Sequence, residues 1–364
     1  MDIVCFSSTR WDFLWQRPQQ LMSRLSDRHN ILYVDHFQPC TAGTLGQINH
    51  EPFLTRAKKN LHIFSPRYAT KTWLISSLDS IYKKIGMNRP VLLIYYPTIV
   101  PALKFMEYSL LCYDCVDDFS KFSWSPALNS SLEDRLIEKS DIIFVTSQKL
   151  MKLKKKFRQN PYLIPNGADV EHFSKALDNA TVCPQEIMML DRPVIGFVGA
   201  IYEWVDLDLI KHLCRLRPHW SFVLIGPKGP GISSQAGPEN LYMPGKKEYK
   251  DLPGIIKAFD ACIIPFKLND LTASANPVKL YEYLAAGKPV VSTPIPEVLK
   301  YKDVVSIAEE PAEFIRALEK SISDNRPENV QKKLRTARKN SWEVRIEQME
   351  SIIEKALDSR QQYI

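Results

Sequence analysis

The chain has 364 residues, 45% of them hydrophobic and 24% charged, enough apolar content for more than one core and too much for wholesale disorder. Only 13 residues are glycine, and Gly43, Gly46 and Gly86 alone precede Gly167, which disfavours a glycine-rich phosphate cradle in the first half. The net charge is +7 and its excess lies early, with 22 basic against 16 acidic side chains through Phe173. No helix-turn-helix, zinc-finger or aromatic ribonucleoprotein motif accompanies that charge, so nucleic acid is not an expected partner.

The N-terminal run MDIVCFSSTRWDF has no charged segment followed by a long apolar one, so no signal peptide is expected. Apolar runs such as VLLIYYP (91–97) are too short to span a bilayer, and a cytoplasmic location is the expectation. Strands are predicted at Ile3–Ser7, Ile31–Asp35, Val91–Tyr96, Leu110–Asp114, Ile142–Thr146 and Tyr162–Pro165, with helices such as Pro18–Ser26, Trp73–Ile85 and Leu132–Lys139 between them. Near-continuous apolar strands alternating with helices imply a parallel sheet covered on both faces. Ser174–Arg192 interrupts the pattern and reads as a linker. The alternation resumes at Val194–Val198, Ser221–Ile225, Asn240–Met243, Ala261–Pro265, Pro289–Ser292 and Val304–Ile307. The expected architecture is α/β, two Rossmann-like doubly wound domains. They would occupy residues 1–175 and 193–341, joined by a linker at 176–192. A last helix, 342–364, is long enough to return to the first domain. Ligands in such sheets sit beyond the carboxyl ends of the strands, which with two domains points to a cleft between them.

Several segments bear on chemistry. After the first strand, Arg10, Trp11, Asp12 and Arg17 lie in a stretch rich in the side chains that stack on sugars and grip phosphates; packing of the tryptophans is the alternative. Cys112 and Cys115 form a C-x-x-C, but positions three apart on a strand face opposite sides, and seven scattered cysteines suit reduced thiols. Asp117 and Asp118 follow the strand ending at Asp114, where two adjacent acids can share a proton, bind a metal or cap a loop. Lys149–Arg158 carries five lysines and an arginine around Leu150, Leu153 and Phe157. It is either a solvated amphipathic helix or a surface for anionic lipid. His172 reads as structural. No His, Cys and carboxylate set has metal-ligand spacing.

The most informative stretch is 273–292, ASANPVKLYEYLAAGKPVVS. Asn276 is a suitable N-cap, Pro277 suits the first helical position, and Gly287 closes the helix. The helix start that follows favours an anion, Lys279 adds charge, and Glu282 lies about one and a half turns in, where a carboxylate can accept hydrogen bonds from sugar hydroxyls.

KLYEYLAAGKPVVST, with LIPNGADVEHF (163–173), VIGFVGA, SFVLIGP, YMPGKKEYKDLPGIIKAFDACIIPF and the opening WQRPQQLMSRL, resembles the GT-B glycosyltransferases, specifically the family 4 group that uses nucleotide-sugar donors. The resemblance implies two Rossmann-like domains, acceptor in the first and donor in the second, and a hexosyltransferase type of activity. It places Glu282 as the second acid of an E-x7-E signature, holding the donor ribose, within a donor-binding stretch that includes Pro277, Val278 and Lys279. Two departures follow. The first acid, which contacts the donor sugar in the family, is replaced by Ser274. The arginine and lysine that usually follow Gly199 and clamp the diphosphate are absent from Ala200–Asp206. The diphosphate would then rely on the Asn276 helix end, Lys279 and Lys228. Gly245 and Lys246 match the segment whose backbone reads the base.

The resulting expectation is a transferase moving a sugar, UDP-linked, to a lipid-linked or oligosaccharide precursor of the cell envelope, at the inner face of the plasma membrane and without metal or resident cofactor. A sugar-nucleotide epimerase of the same fold and a non-catalytic binding subunit are the alternatives.

Overall fold

The computed structural model describes residues 1–39, 53–66, 68–122, 128–155, 160–232 and 237–361. The chain forms two compact units. Unit 1 comprises Met1–Pro165 with Arg345–Ile364, and unit 2 comprises Asn166–Val344.

The strands of unit 1 are β1 (Asp2–Phe6), β2 (Asn30–Val34), β3 (Gln38–Pro39), β4 (Leu54–Lys58), β5 (Leu61–Phe64), β6 (Tyr68–Ala69), β7 (Val91–Ile94), β8 (Leu110–Cys115), β9 (Ile142–Val145) and β10 (Tyr162–Leu163). Eight form one sheet in the order β10-β9-β8-β7-β1-β2-β5-β4, while β3 and β6 pair separately. All neighbours in the large sheet are parallel except β4, which runs antiparallel to β5. The hairpin β4–β5 has no counterpart in the predicted elements. LTRAK is polar and exposed along β4, the composition that protects a sheet edge rather than the one that reveals a strand. Cys112 and Cys115 are both buried as free thiols on β8.

Unit 2 contains β11 (Val194–Val198), β12 (Ser221–Ile225), β13 (Leu241–Gly245), β14 (Ala261–Ile264), β15 (Val290–Ser292) and β16 (Ser306–Ile307). They form one parallel sheet in the order β13-β12-β11-β14-β15-β16, so the strand order reverses between β11 and β14, the Rossmann arrangement. Its first crossover helix, Leu207–Leu216, starts where the Asp206 carboxylate accepts the Leu209 N–H at 2.9 Å. It buries Leu209, Ile210, Leu213 and Cys214, one face at helical spacing.

The division between units falls at Pro165/Asn166, not at 175/176. The segment expected as a linker, 176–192, is part of unit 2: Ala176 and Ile187 are buried in its core and Gln185–Met188 is helical. Short apolar anchors spaced through polar sequence hid that packing. The last helix, Trp342–Gln361, begins in unit 2 and from Arg345 onward belongs to unit 1. No helix among the described residues is long and apolar enough to cross a membrane.

Candidate functional site

The strand order of unit 2 reverses between β11 and β14, the place beyond whose carboxyl ends sheets of this kind hold their ligands, and the loops there carry the residues expected to bind the donor. Three loops are laced together by their backbones. The Gly199 N–H donates to Ile225 O at 2.8 Å, Gly226 N–H to Gly245 O at 3.0 Å, and Ile201 N–H to Pro227 O at 2.9 Å. Gly226 approaches Gly199 so closely that a Cβ would fall 1.8 Å from the Gly199 carbonyl oxygen. Lys228 is held at this rim by a parallel bridge to Ile201, and Lys246 is exposed just beyond β13.

The helix Val278–Ala285 opens at the same edge. Its N-cap is Pro277, in extended conformation, and not Asn276 as expected. Asn276 is committed elsewhere. Its side-chain oxygen accepts the Asn166 N–H at 2.9 Å and its carbonyl accepts Asn166 Nδ2 at 2.7 Å, while its own Nδ2 donates to the Tyr281 hydroxyl at 3.1 Å. A residue so engaged fixes the loop ahead of the helix and leaves the amides of the first turn uncapped by its side chain. Gly287, with φ of +67°, ends the helix as the sequence indicates.

Glu282 is fully buried. One carboxylate oxygen, Oε2, receives Lys279 Nζ at 2.7 Å, and the other, Oε1, is buried with no hydrogen-bond partner. Lys279 in turn reaches Gly199: its Cε lies 3.5 Å from where a Cβ on that glycine would stand. The structure therefore brings Gly199, Lys279 and Glu282 together. The Tyr283 hydroxyl accepts the Val198 N–H at 2.7 Å and ties the helix to the end of β11, a contact the sequence reading missed. Ser274 is also fully buried, in the short turn Thr272–Ser274, with its hydroxyl turned to the Asp270 carbonyl at 3.5 Å. It is neither charged nor presented outward. Away from these loops, His172 Nε2 lies 2.9 Å from the Tyr249 carbonyl and its ring stacks on the Tyr249 ring, a packing role.

In unit 1 the strand order reverses between β1 and β7, and a second set of residues gathers at the carboxyl ends there. The Tyr96 ring, just after β7, meets His36 edge-on at 5.1 Å and Phe119 at 5.3 Å. Asp117 and Asp118 immediately precede Phe119. Asp118 is buried and accepts the Ser120 hydroxyl at 2.7 Å. Burial, reinforced by the charge of Asp118, pushes the Asp117 carboxyl up to about 7. Burial also pushes the His36 imidazole below its ordinary value. His36 and Asp35 went unnoticed in the sequence. Their signal is position alone, the two residues after β2 in LYVDHF. Asp35 anchors the loop after β1 by accepting the Trp11 N–H and the Ser65 hydroxyl, each at 2.7 Å.

The expected acceptor-side residues divide. Arg10 and Asp12 pair with each other on the surface at 3.2 Å. Trp11 packs edge-on against Trp15 and Tyr33, so its ring serves the loop's own packing. Arg17 is no surface phosphate grip. It is buried, its Nε donates to Asp114 Oδ2 at 2.8 Å, and an Nη donates to the Pro165 carbonyl at 3.1 Å. The basic stretch Lys149–Arg158 is also revised in part. Lys154 points inward to Glu133 at 2.6 Å, where the Tyr113 hydroxyl also donates, while Lys152 and Lys155 remain exposed. Residues 156–159 lie outside the described residues.

Residues 192–324 match the family model described as Glycosyl transferases group 1. TuaH of Bacillus subtilis (strain 168), provisionally named a teichuronic acid biosynthesis glycosyltransferase, is 32% identical over 231 residues, covering 58% of this chain and 56% of that protein's length. Among solved structures, a sucrose-phosphate synthase from Thermosynechococcus elongatus superposes with a TM-score of 0.72 at 12% identity, covering 98% of this chain and 99% of that one. An E. coli protein described as trehalose-6-phosphate, bound with UDP-2-fluoro glucose, gives 0.68 at 13% identity, again over 98% and 99%. A UDP-forming trehalose-phosphate synthase from Burkholderia xenovorans in complex with glucose-6-phosphate gives 0.68 at 9%, over 97% and 99%. At these identities the structural likeness is one of fold.

Proposed function

We propose that this chain, whose residues 192–324 match the model of the group 1 glycosyl transferases and whose two units have the GT-B fold, transfers a sugar from a nucleoside diphosphate sugar to a saccharide precursor of the cell envelope. The observation that carries the reading is the Glu282 carboxylate. Oε2 is bound to Lys279, and Oε1 waits without a donor at the carboxyl edge of a Rossmann sheet. A buried anion with an unmade hydrogen bond is costly, and a diol such as a ribose supplies the missing donors. Lys279, beside Gly199 at the helix start, then faces the diphosphate. Uridine as the base is supported by the UDP ligand and UDP-forming names of the structural neighbours, and the envelope acceptor by the name of the Bacillus relative.

On the acceptor side, Asp117 is the group we assign as general base, the acceptor oxygen attacking the anomeric carbon as the bond to the diphosphate breaks. The nucleoside diphosphate leaves with the bonding electron pair and the acceptor proton passes to Asp117, whose carboxyl, raised to about 7, is poised for that exchange near neutrality. The exposed Lys152 and Lys155 would favour an acceptor held at an anionic lipid surface. No metal or resident cofactor takes part in this transfer.

The test is release of UDP from UDP-sugars with and without a lipid-linked acceptor fraction, in the parent and in Glu282→Ala. Acceptor-dependent release that the substitution abolishes is the expected result; equal transfer by the variant would sink the assignment. Interconversion of the donor without acceptor selects the epimerase. The uncharged, inward-turned Ser274 favours a second reading, a binding subunit, and nucleotide binding without hydrolysis or transfer would select that.

A further inference from the structure

At the opposite, amino-terminal end of the unit 2 sheet lies a polar cavity of about 150 Å³, room for about five waters. Its walls are the chain leading into β15 and β16, the end of the helix Pro311–Ser323, and the helix Pro327–Lys339. None of the candidate site residues described above lines it. Three lysines do: Lys302 at the exposed rim, Lys332, and Lys333, which is buried to 6% exposure.

The two acids in its walls are already engaged. Asp324 receives the Arg326 guanidinium at 2.8 Å. The Asp303 carbonyl accepts Lys332 Nζ at 2.9 Å, with the Asp303 carboxylate 3.6 Å from the same ammonium. Counting Arg326, four cations face two carboxylates. The Lys333 ammonium makes one hydrogen bond, to Asn325 Oδ1 at 2.8 Å, out of the three it can donate. Burial, only partly offset by Asp324, pushes it down to about 8. An ammonium held in this way is destabilised by its surroundings, and an anion in the cavity reverses the sign of that cost. Neutral donors stand with it: the Ser306 and Ser321 hydroxyls, 2.8 Å apart, and the Asn329 amide, whose Nδ2 is turned to the Asp324 carbonyl.

We propose that this cavity is a second anion site, separate from the one at Glu282, that takes a small phosphate group, free or as a sugar monophosphate, on the ammonium groups of Lys333, Lys332 and Lys302. The cavity is too small for a nucleotide and has no aromatic wall to stack a base. Its position, at the opposite end of the same sheet from the proposed donor site, suits a ligand that reports on sugar-phosphate supply rather than one that reacts.

The test is a thermal-shift titration with inorganic phosphate and, separately, with glucose-6-phosphate, against chloride at matched ionic strength, in the presence of saturating UDP. The expected result is a rise of a few degrees in Tm that adds to the UDP effect and is lost in Lys333→Met, with the UDP shift itself intact. A response to glucose-6-phosphate at lower concentration than to phosphate identifies a monoester; equal responses identify the free anion. Absence of any rise beyond chloride, a rise that UDP abolishes, or a rise that Lys333→Met retains would overturn the proposal. Should that variant not fold, Ser321→Asp, which sets a carboxylate against the anion, is expected to lose the rise, and a retained rise overturns the proposal equally.

Discussion

Two buried carboxylates in this molecule are each satisfied on one oxygen only. Arg17 holds Asp114 Oδ2 inside unit 1 and leaves Oδ1 without a hydrogen-bond partner, and Lys279 holds Glu282 Oε2 in unit 2 and leaves Oε1 without one; Glu282 differs in that its lysine lies beside Gly199. Removing one partner of the first pair strands the other, so Arg17→Ala should cost about 3–5 kcal/mol in urea unfolding. Glu282→Ala should leave the melting temperature within a few degrees and weaken nucleotide-sugar binding roughly 10- to 100-fold, the worth of a hydrogen bond to a charged group. Titration calorimetry checks it. Asp117 makes a pH prediction. Its proton is held more tightly in the fold than in the unfolded chain, so its contribution to stability is complete below the ordinary carboxylate value of 3.8 and is lost as the pH rises through about 7. Asp117→Asn removes that dependence and should gain on the parent between pH 4 and 8. If Asp117 accepts the proton of the acceptor, the parent's rate rises through about pH 7, and the variant's falls on the order of 10²–10⁴-fold and flattens. The sequence made Glu282 legible through its place on one helix, about one and a half turns from the start, and its match to the second acid of the signature; the pairing with Lys279, three residues away, is what the structure adds. It made Arg17 misleading because Asp114, 97 residues distant, decides which way the guanidinium turns.

Elements were legible where their apolar pattern is strong. Every predicted strand is present within a few residues; most are buried runs of the parallel sheets, while β10, β13 and β16 at or near the sheet edges are half-buried or exposed. The edge strand β4 and the packed segment 176–192 escaped because their burial is partial or dispersed, whereas β5 (LHIF) is buried but short. The placement of the helix Val278–Ala285 depends on two small devices. Tyr283→Phe leaves the Val198 N–H buried without its acceptor and should cost about 1–3 kcal/mol in chemical denaturation. Gly226→Ala drives a methyl into the Gly199 carbonyl and should cost about 1–3 kcal/mol or more, together with nucleotide binding, since both loops border the site.

Across the whole molecule, chain order and compact unit do not coincide. The last helix carries Ile346, Met349 and Ile353 into the buried part of unit 1. There Glu350 receives Arg28 and His29, and Arg360 reaches Asp141 and the Ser109 carbonyl. Unit 2 is encoded in one uninterrupted stretch, 166–344. A chain cut after Val344 should therefore keep a nucleotide-induced Tm rise while the amides of β1, β2 and β8 lose hydrogen-exchange protection. During synthesis the consequence is temporal. The ribosome releases the strands of unit 1 first, yet the helix that covers Glu350's partners emerges only after all of unit 2 has been made. The first unit begun is the last one finished, and its sheet, with every strand already made, waits for its last helix through nearly half of translation.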